Sequence, residues 1–359
     1  MNFKKIAKKL FTTLPSSVLG IDIGTEYVKI VQVDLKGERP YVRDFAVSEL
    51  PANLKTKGVL NAKDELISFL YELLKRHNFS TKHAVFSLNG KNVFVREIIM
   101  PMMPDAELKQ AVGWDVGQYV PYEPDTFYFD YARFGEETSD GQQRIVLVAA
   151  PKEIVDGIIE ISTALNLKVL KIDIDVLTIC RTLVQPLSEF ILLDIGHLYT
   201  MMTIFEKGAP VAQRALQNSW GTLITNVSEI SGLEPRDLQA LLQEKNYLTK
   251  AVTMDEEVIA SVMKEEIITV ARECRLTSDY YLSTKRDLSF SNLVIAGVGS
   301  KVPGLVEFLH NEIDAKVMLH DILQKVDFNP KFEENKVKGL APILAIAVGA
   351  ALAGGESDD

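Results

Sequence analysis

Two copies of Asp-Ile-Gly lie half a chain apart, at Asp22 to Gly24 and at Asp194 to Gly196. Each copy follows an apolar run and precedes β-type residues, which predicts two strands joined by a tight turn. Glycine lets the backbone of such a turn approach an anion, so that its N–H groups can surround a phosphate. An aspartate beside phosphates is favourable only with a cation between them. The pattern therefore predicts Mg²⁺ held through its waters by Asp22 and Asp194.

A third glycine-rich turn, Gly297-Val298-Gly299-Ser300, lies between an apolar strand-like segment and a helix-like one. Its amides and the helix N-terminus can meet a ribose or a phosphate. The run GVGSKVPG does not have the GxGxxG spacing of dinucleotide-binding folds. No GxxxxGK[ST] run occurs either, which excludes a P-loop nucleotide site.

Hydrolysis of a nucleotide would require a group that orients a water in line with the last phosphate. Alternation in KIDIDVLTICR predicts that Asp173 and Asp175 lie on the same side of a strand, and they are the weak candidates for this catalytic role. A structural or capping role is the alternative for both. The sequence does not distinguish an ATPase from a protein that only holds ATP, so enzymatic activity stays open.

Composition fits a folded protein of about two domains, with 359 residues, of which 47% are hydrophobic and 25% charged. The formal net charge of -10 argues against a broad attraction to nucleic acid. The two cysteines, Cys180 and Cys274, have no CxxC or CxxH spacing, so neither a zinc site nor a disulfide framework is expected. A reducing cytoplasm fits this composition.

Strand-like and helix-like segments alternate along the chain, which predicts an α/β fold. Residues 18–34 and 41–47 alternate apolar and polar residues in the manner of consecutive strands. Asn61 is expected to cap a helix over residues 64–79.

Asn89-Gly90 separates the strand-like segments 84–88 and 92–99, and this dipeptide is a strong hairpin signal. Prolines bound the next helix, which carries four apolar residues on one face, Leu108, Val112, Val116 and Tyr119. Gly113 and Gly117 lie four residues apart on one side of that helix. We expect them to permit close approach of another backbone.

From Phe190 the chain repeats the order strand, turn, strand, and a helix is predicted over 219–231. The polar composition of the segment around 234–256 predicts a mobile segment, and a long helix follows over 257–284. The stretch Leu340–Gly355 is uncharged but shorter than the roughly 20 apolar residues of a membrane span. It therefore predicts a buried helix.

The N-terminus lacks the apolar core of a signal peptide, so secretion is not expected. At helical spacing its apolar residues fall on one side, opposite four lysines: Phe3, Ile6, Leu10 and Phe11 against Lys4, Lys5, Lys8 and Lys9. A docked N-terminal helix is one interpretation, and a weak peripheral membrane contact is the other.

Three segments resemble, in order, the two phosphate segments and the adenosine segment of the actin, sugar-kinase and heat-shock-chaperone superfamily: GIDIGTEYVKIVQVD, ILLDIGHLYTMMTIF and LVIAGVGSKVPG. Within that superfamily the chain resembles the PilM family of type IV pilus assembly proteins. That likeness is carried by FSLNGKNVFVREIIMPMMPDAELKQAVGWDVGQYVPYEPDTFYFDY and RIVLVAAPKEIVDGIIEISTALNLKVLKIDID. It extends from about Val18 to Gly355.

The resemblance implies an α/β, two-lobed, actin-like ATPase fold of ribonuclease H-like halves, with ATP and Mg²⁺ in the cleft. It also implies a subdomain of the FtsA and PilM type, an SHS2 domain, inserted in the first lobe. The implied boundaries are an N-terminal extension at 1–17, a first lobe at 18–83, 161–189 and 340–355, the inserted subdomain at 84–160, and a second lobe at 190–339 with an outer part at about 219–290.

Carried over residue by residue, the resemblance assigns nucleotide contacts to all three segments and to the helix before the third: Asp22, Gly24, Thr25, Lys29, Asp194, Gly196, Arg272, Glu273, Arg275, Gly297, Gly299 and Ser300. For the helix residues a solvated face is the alternative. His197 and Val298 depart from the family pattern, which predicts weaker or altered nucleotide binding. His197 has two interpretations, a catalytic base and a partly exposed turn residue, and the second is favoured.

The implied partner is the cytoplasmic N-terminal peptide of the membrane protein PilN, bound in a groove near Phe94, Val95, Trp114 and Tyr119. Ordinary core positions are the alternative for these four residues. PilO would join indirectly, the pilus motor ATPases are further candidate partners, and nucleic acid is not expected. The protein would then work in the cytoplasm at the inner face of the inner membrane, which it reaches through its partners. An FtsA-like filament protein and a small-molecule kinase remain the alternative functions.

Overall fold

The computed structural model describes residues 14–57, 62–136, 141–283 and 290–356. Within these ranges the chain forms two compact units. Unit 1 runs up to Gln185 and resumes at Asp321, and unit 2 is Pro186–His320. Each unit is described separately below.

Strands and helices alternate along the described chain, so the predicted α/β class is confirmed. The strands are β1 (Ser17–Ile23), β2 (Tyr27–Asp34), β3 (Tyr41–Glu49), β4 (His83–Leu88), β5 (Phe94–Pro101), β6 (Phe127–Phe134), β7 (Gln142–Pro151), β8 (Lys168–Ile174), β9 (Phe190–Ile195), β10 (Thr200–Glu206), β11 (Ala209–Leu216), β12 (Asn292–Ala296), β13 (Lys316–Leu319) and β14 (Asp327–Phe328). The α-helices are α1 (Ala52–Lys57), α2 (Lys63–Arg76), α3 (Asp105–Tyr119), α4 (Lys152–Ala164), α5 (Asp175–Arg181), α6 (Trp220–Ser231), α7 (Pro235–Glu244), α8 (Tyr247–Lys250), α9 (Met254–Ser283), α10 (Leu305–Glu312) and α11 (Glu334–Ala353).

Unit 1 contains a sheet in the order β14-β3-β2-β1-β4-β8. Strands β1, β2 and β3 form an antiparallel meander. Strand β4 pairs in parallel with β1, and β8 pairs in parallel with β4. Helix α11 packs on β1, β2 and β4. A Cβ on Gly20 would lie 1.7 Å from the Ala347 carbonyl oxygen, so only glycine permits this approach of strand and helix.

Helix α11 is also the one helix in the described ranges with the length and apolar composition of a membrane span. However, 61% of its most apolar window is buried inside the protein. It extends from Glu334 to Ala353, six residues earlier than the predicted start, and contributes the buried helix that the sequence predicts there.

A second sheet of unit 1 is the antiparallel array β5-β7-β6, covered on one face by α3. The predicted apolar face of α3 is correct, because Leu108, Val112 and Val116 are buried against Ile98 and Leu147. The outer side of α3 differs from the prediction. A Cβ on Gly113 or Gly117 would meet nothing within 4 Å, so no backbone of the described chain approaches those glycines.

Arg133 on β6 fixes the start of α3 on this sheet. Its guanidinium donates hydrogen bonds to the Met103 carbonyl at 2.5 Å and to Gln143 Oε1 at 2.5 Å, and it forms an ion pair with Asp105. The Gln143 amide in turn donates to the Pro101 carbonyl at 2.8 Å. The end of β5 and the first residue of α3 are therefore held by one polar network.

Unit 2 is built on the strands β13-β12-β9-β10-β11, with β9, β10 and β11 antiparallel and β12 and β13 parallel to β9. Phe190 and Phe205 stack in its core with ring centroids 4.3 Å apart. The polar segment 234–256, predicted to be mobile, contains α7, α8 and the start of α9. Leu238, Leu242 and Leu248 are fully buried there, so apolar anchors at helical spacing outweigh the polar composition.

Asn89-Gly90 does not form the predicted hairpin. Strand β4 pairs with β1 and β8, whereas β5 pairs with β7 in the other sheet. Asn89 instead caps a single 3₁₀ turn over Gly90–Asn92, because its side chain accepts a hydrogen bond from the Lys91 amide at 3.1 Å. The predicted cap Asn61 lies outside the described residues, and α2 begins at Lys63 without a side-chain cap.

Candidate functional site

The first Asp-Ile-Gly ends β1 and opens a four-residue turn to β2. The Gly24 amide donates to the Tyr27 carbonyl at 3.1 Å, and Ile23 pairs with Val28 across the hairpin. Asp22 is only 4% exposed, and its carboxylate accepts a hydrogen bond from Lys29 Nζ at 2.7 Å. A Cβ on Gly24 would lie 2.8 Å from Lys29 Nζ, so the glycine makes room for this ion pair.

The second Asp-Ile-Gly repeats the same turn between β9 and β10. The Gly196 amide donates to the Tyr199 carbonyl at 3.1 Å, as Gly24 does to Tyr27 in the first hairpin. Both turns therefore have the sequence Gly-x-x-Tyr, as GTEY and GHLY, and this shared spacing was an available but unused signal for the matching turns. Asp194 pairs with Met201, at the position where the first hairpin has Lys29. The two hairpins thus share geometry but differ in charge.

His197 lies in the second turn and is half-buried, in line with the interpretation favoured from the sequence. Its carbonyl accepts a hydrogen bond from the Gly221 amide at 2.9 Å, and the Gly196 carbonyl accepts one from the Trp220 amide at 2.9 Å. The first turn of α6 therefore uses its amides to hold this hairpin. A Cβ on Gly221 would lie 3.2 Å from the His197 ring, so the histidine packs on the start of α6.

The third glycine-rich segment lies against the second hairpin inside unit 2. Gly297 has φ +82°, and a Cβ there would be 2.4 Å from Asp194 Oδ1. A Cβ on Gly299 would be 2.2 Å from the Ile195 side chain. Ser300 is buried and its hydroxyl donates to the Gly297 carbonyl at 2.7 Å. These contacts account for both glycines by close packing and place the segment beside Asp194.

A small, largely apolar cavity of about 40 Å³ lies next to this segment, between α6, α9 and α10, and it is far smaller than the roughly 300 Å³ or more of a ligand pocket. It is lined by residues that include Asn218, Trp220, Glu266, Ile267, Val270, Gly299 and Val302. The Glu266 carboxylate accepts hydrogen bonds from Asn218 Nδ2 at 2.6 Å and from Asn226 Nδ2 at 2.5 Å, so two amides hold a negative charge at its wall. Nothing in the local sequence marks Glu266 or Asn218, so neither residue was predicted.

The predicted nucleoside contacts on α9 lie elsewhere along the helix and do not line this cavity. Glu273 pairs with Arg214 at 2.7 Å, and Arg275 donates to the Glu312 carbonyl at 2.6 Å. Arg272 is exposed. Their assignment to a nucleotide stays a prediction.

Asp173 and Asp175 do not lie together on one strand, because β8 ends at Ile174 and Asp175 begins α5. Asp173 forms an ion pair with Arg181 at 2.7 Å. Asp175 accepts hydrogen bonds from the Ser87 hydroxyl at 2.6 Å and the Gly90 amide at 3.2 Å. Both carboxylates have structural partners inside unit 1, and their catalytic role stays a prediction.

No group of three or more His, Cys, Asp or Glu residues that could hold a metal ion occurs among the described residues. Mg²⁺ binds through one or two carboxylates, substrate phosphates and retained waters rather than in an all-protein cage, and its binding here stays a prediction. Asp22 and Asp194 each have a carboxylate that could accept hydrogen bonds from the waters of a Mg²⁺ ion. Each lies at a strand end beside a turn glycine.

The four residues predicted for the partner groove do not share one surface. Phe94 and Tyr119 pack at the margin of the core between α3 and its sheet. Val95 is 6% exposed and points to the opposite face of β5 from Phe94, because side chains alternate along a strand. Trp114 alone stands in solvent, 80% exposed on the outer side of α3.

Comparison with known proteins gives one family. A family model described as type IV pilus assembly protein PilM matches residues 20–354. The fold resembles a structure described as the PilM-PilN type IV pilus biogenesis complex, with 24% identity, TM-score 0.79, and coverage of 95% of this chain and 99% of that one.

Two further structures share the fold at lower similarity. The ethanolamine utilization protein EutJ from Carboxydothermus hydrogenoformans has 13% identity and TM-score 0.53, with 95% of this chain and 91% of that chain covered. MreB5 of Spiroplasma citri bound to AMPPNP has 8% identity and TM-score 0.51, with 91% and 98% covered. These matches confirm the predicted actin-like ATPase fold.

Proposed function

This chain belongs to the family of the type IV pilus assembly protein PilM, and on that premise we propose that it is an ATP-binding adaptor for the membrane protein PilN. The adaptor would hold the cytoplasmic N-terminal peptide of PilN and link the inner-membrane pilus complex to cytoplasmic pilus components. PilO would be joined indirectly through PilN, and the pilus motor ATPases are further proposed partners. The protein would act in the cytoplasm at the inner face of the inner membrane.

One observation carries the partner proposal. The structure described as a PilM-PilN complex matches this chain over 95% of its length at TM-score 0.79. A protein with the same fold is therefore described in complex with PilN. Trp114 is the proposed contact residue in this chain, since an aromatic side chain 80% exposed in water is typical of a protein interface.

ATP binding is supported by the matching geometry of the two Asp-Ile-Gly hairpins, one in each unit. Asp22, Gly24, Thr25 and Lys29 in unit 1, and Asp194 and Gly196 in unit 2, are the proposed residues for phosphates and for the waters of Mg²⁺. Lys29 would neutralise phosphate charge as it now neutralises Asp22 at 2.7 Å. Bound Mg²⁺ would screen the aspartates from the phosphates. A protein of the same fold, MreB5, is known with AMPPNP.

For the nucleoside we propose the glycine-rich segment of Gly297, Gly299 and Ser300, because it lies beside Asp194 of the second hairpin. Arg272, Glu273 and Arg275 on α9 are further proposed contacts. The cavity beside Gly299 has a volume of about 40 Å³, which is too small for a nucleoside.

Isothermal titration calorimetry tests the adaptor function. The titrant is a synthetic peptide that copies the cytoplasmic N-terminal tail of PilN from the same organism, added with and without ATP and Mg²⁺. We expect saturable binding, and we expect Trp114→Ala to weaken it about tenfold or more, in the range of an interface anchor. If the unaltered protein, verified as folded by circular dichroism, gives no binding heat with the peptide, the proposal is contradicted.

Tyr280→Ala is the matched control for Trp114→Ala. Tyr280 is an aromatic residue 77% exposed on α9 in unit 2, so its removal deletes a similar amount of exposed apolar surface. We expect peptide binding of this variant to equal that of the unaltered chain. Equal weakening by both substitutions would instead indicate a non-specific aromatic contact.

A further inference from the structure

The turn of the first hairpin carries an acidic side chain that the turn of the second hairpin lacks. In the shared Gly-x-x-Tyr spacing, the residue before the tyrosine is Glu26 in the first turn and Leu198 in the second. Leu198 is 60% exposed. The amides of the first turn are the proposed surroundings of a phosphate, and a carboxylate beside a polyanion opposes its binding. A phosphate in the first turn therefore requires that the charge of Glu26 be neutralised.

Lys55 on α1 supplies the neutralising charge. Its ammonium group forms an ion pair with Glu26 and a second ion pair with Glu49 at 2.6 Å. The side chains of Lys55 and Glu26 are 26% and 19% exposed, whereas the side chain of Glu49 is 62% exposed. Water therefore screens the Glu49 charge more than the Glu26 charge, and Lys55 is coupled more strongly to Glu26.

The two glutamates also act on the pKa of Lys55. Burial alone would lower this pKa, but the hydrogen bonds to Glu26 and Glu49 outweigh burial and raise the pKa above its ordinary value of 10.5. Lys55 is therefore a permanent positive charge next to the turn.

The backbone fixes Lys55 in this position. Leu50 and Leu54 are buried, and the Lys55 amide donates to the Pro51 carbonyl at 3.1 Å at the start of α1. The Leu50 amide donates to the Glu26 carbonyl at 2.8 Å. All of these residues lie in the described part of unit 1, whereas the N-terminal helix that the sequence predicts lies outside it. The segment 50–55 therefore holds Glu26 by its main chain and by its side chain.

We propose that Lys55 is a positioning residue of the ATP site, which neutralises Glu26 and holds that carboxylate toward α1 so that the turn amides can donate to a phosphate. This inference rests on the proposed binding of ATP at the first hairpin. Lys55 acts through Glu26 and does not contact the nucleotide. Its effect must therefore depend on the charge of Glu26 and on the charge of the phosphates.

Isothermal titration calorimetry of the full chain with ATP and with ADP, both in excess Mg²⁺, tests the proposal. Lys55→Met leaves one uncompensated charge beside the turn, so it should weaken ATP binding roughly tenfold. The loss should be smaller for ADP, which carries less negative charge. Lys55→Arg keeps the positive charge and should keep the affinity for both nucleotides.

A charge-removing partner variant separates this role from ordinary structural support. Glu26→Gln combined with Lys55→Met removes both charges and should restore ATP affinity to near that of the unaltered chain. Glu26→Gln alone should bind ATP as tightly as the unaltered chain or more tightly, because a negative charge beside the phosphates is gone. Equal losses in Lys55→Met and in the double variant would overturn the proposal, and so would weaker binding in Glu26→Gln alone.

Lys63→Met is the matched control. Lys63 on α2 is also a partly exposed lysine in an ion pair, with Glu160 at 2.6 Å, and it lies outside the hairpin. We expect this variant to bind ATP like the unaltered chain, and losses equal to those of Lys55→Met would overturn the proposal. If the unaltered chain binds ATP and Lys55→Met binds it equally well, only the role of Lys55 fails. If the unaltered chain binds no ATP, the proposed nucleotide site fails together with it. Circular dichroism verifies the folding of each variant.

Discussion

Lys29 is the residue that distinguishes the first hairpin from the second, where Met201 occupies the same register position. We predict that Lys29→Met lowers the free energy of unfolding by about 3 to 5 kcal/mol, because the Asp22 carboxylate is left buried without its counter-charge. Urea unfolding followed by circular dichroism measures the loss.

The double variant Asp22→Asn with Lys29→Met is the control for this prediction. It removes both charges at once, so it should recover a large part of the stability lost in Lys29→Met. A double variant as unstable as the single one would show that Lys29 acts through packing of its aliphatic chain.

His83 makes the stability of unit 1 depend on pH. Burial is the main cause that lowers its pKa from the ordinary 6.5, and the neighbouring Lys168 charge lowers it further. The unfolded chain therefore takes up the proton first, and the free energy of unfolding falls as the pH drops from about 6.5 to the lowered folded pKa. Below that folded pKa this contribution is constant.

The substitution His83→Gln should flatten the stability profile in that window, and Lys168→Gln should narrow the window by raising the His83 pKa. Urea unfolding in steps between about pH 5 and pH 8 measures the profile, and NMR of the imidazole gives the pKa directly. An imidazole that titrates at or above its ordinary pKa would contradict the expected direction.

At the scale of secondary structure, two glycines of α11 have opposite environments. A Cβ on Gly349 would lie 1.9 Å from the Thr178 carbonyl oxygen, whereas a Cβ on Gly339 would meet nothing within 4 Å. We predict that Gly349→Ala lowers the free energy of unfolding by about 3 kcal/mol or more, because backbone must move to accept the methyl group. Gly339→Ala should raise it by about 0.5 to 1 kcal/mol through helix propensity.

Thermal and urea unfolding of the two variants, made in the same helix by the same change, give this comparison directly. Destabilisation by both would show that α11 tolerates no added methyl group at either position. Stabilisation by both would show that α5 can shift away from α11 at low cost.

The elements also show what the sequence could and could not predict. The turns after Asp22 and Asp194 were predictable, because alternation and a glycine specify a tight hairpin locally. Asn89-Gly90 carries an equally strong local signal, yet β4 and β5 enter different sheets, since strand partners depend on distant segments. For the same reason Glu266 was missed: only packing of α6, α9 and α10 brings that turn of α9 to the cavity.

At the scale of the whole molecule, ATP should stabilise the chain by mass action. A ligand that binds the folded state at 100 times its dissociation constant adds about 2.7 kcal/mol to the free energy of unfolding. We therefore predict that the unfolding temperature rises with ATP concentration in the presence of Mg²⁺ and rises less with excess EDTA.

Variants test whether α9 contacts the nucleoside. Arg272→Gln should reduce the ATP-dependent rise, measured from the variant's own unfolding temperature without ATP, because the Arg272 side chain is exposed and can contact a ligand. Lys207→Gln removes an exposed lysine between β10 and β11 and should keep the full rise. A full rise in Arg272→Gln would contradict the predicted contact, because the nucleoside would then bind without this side chain.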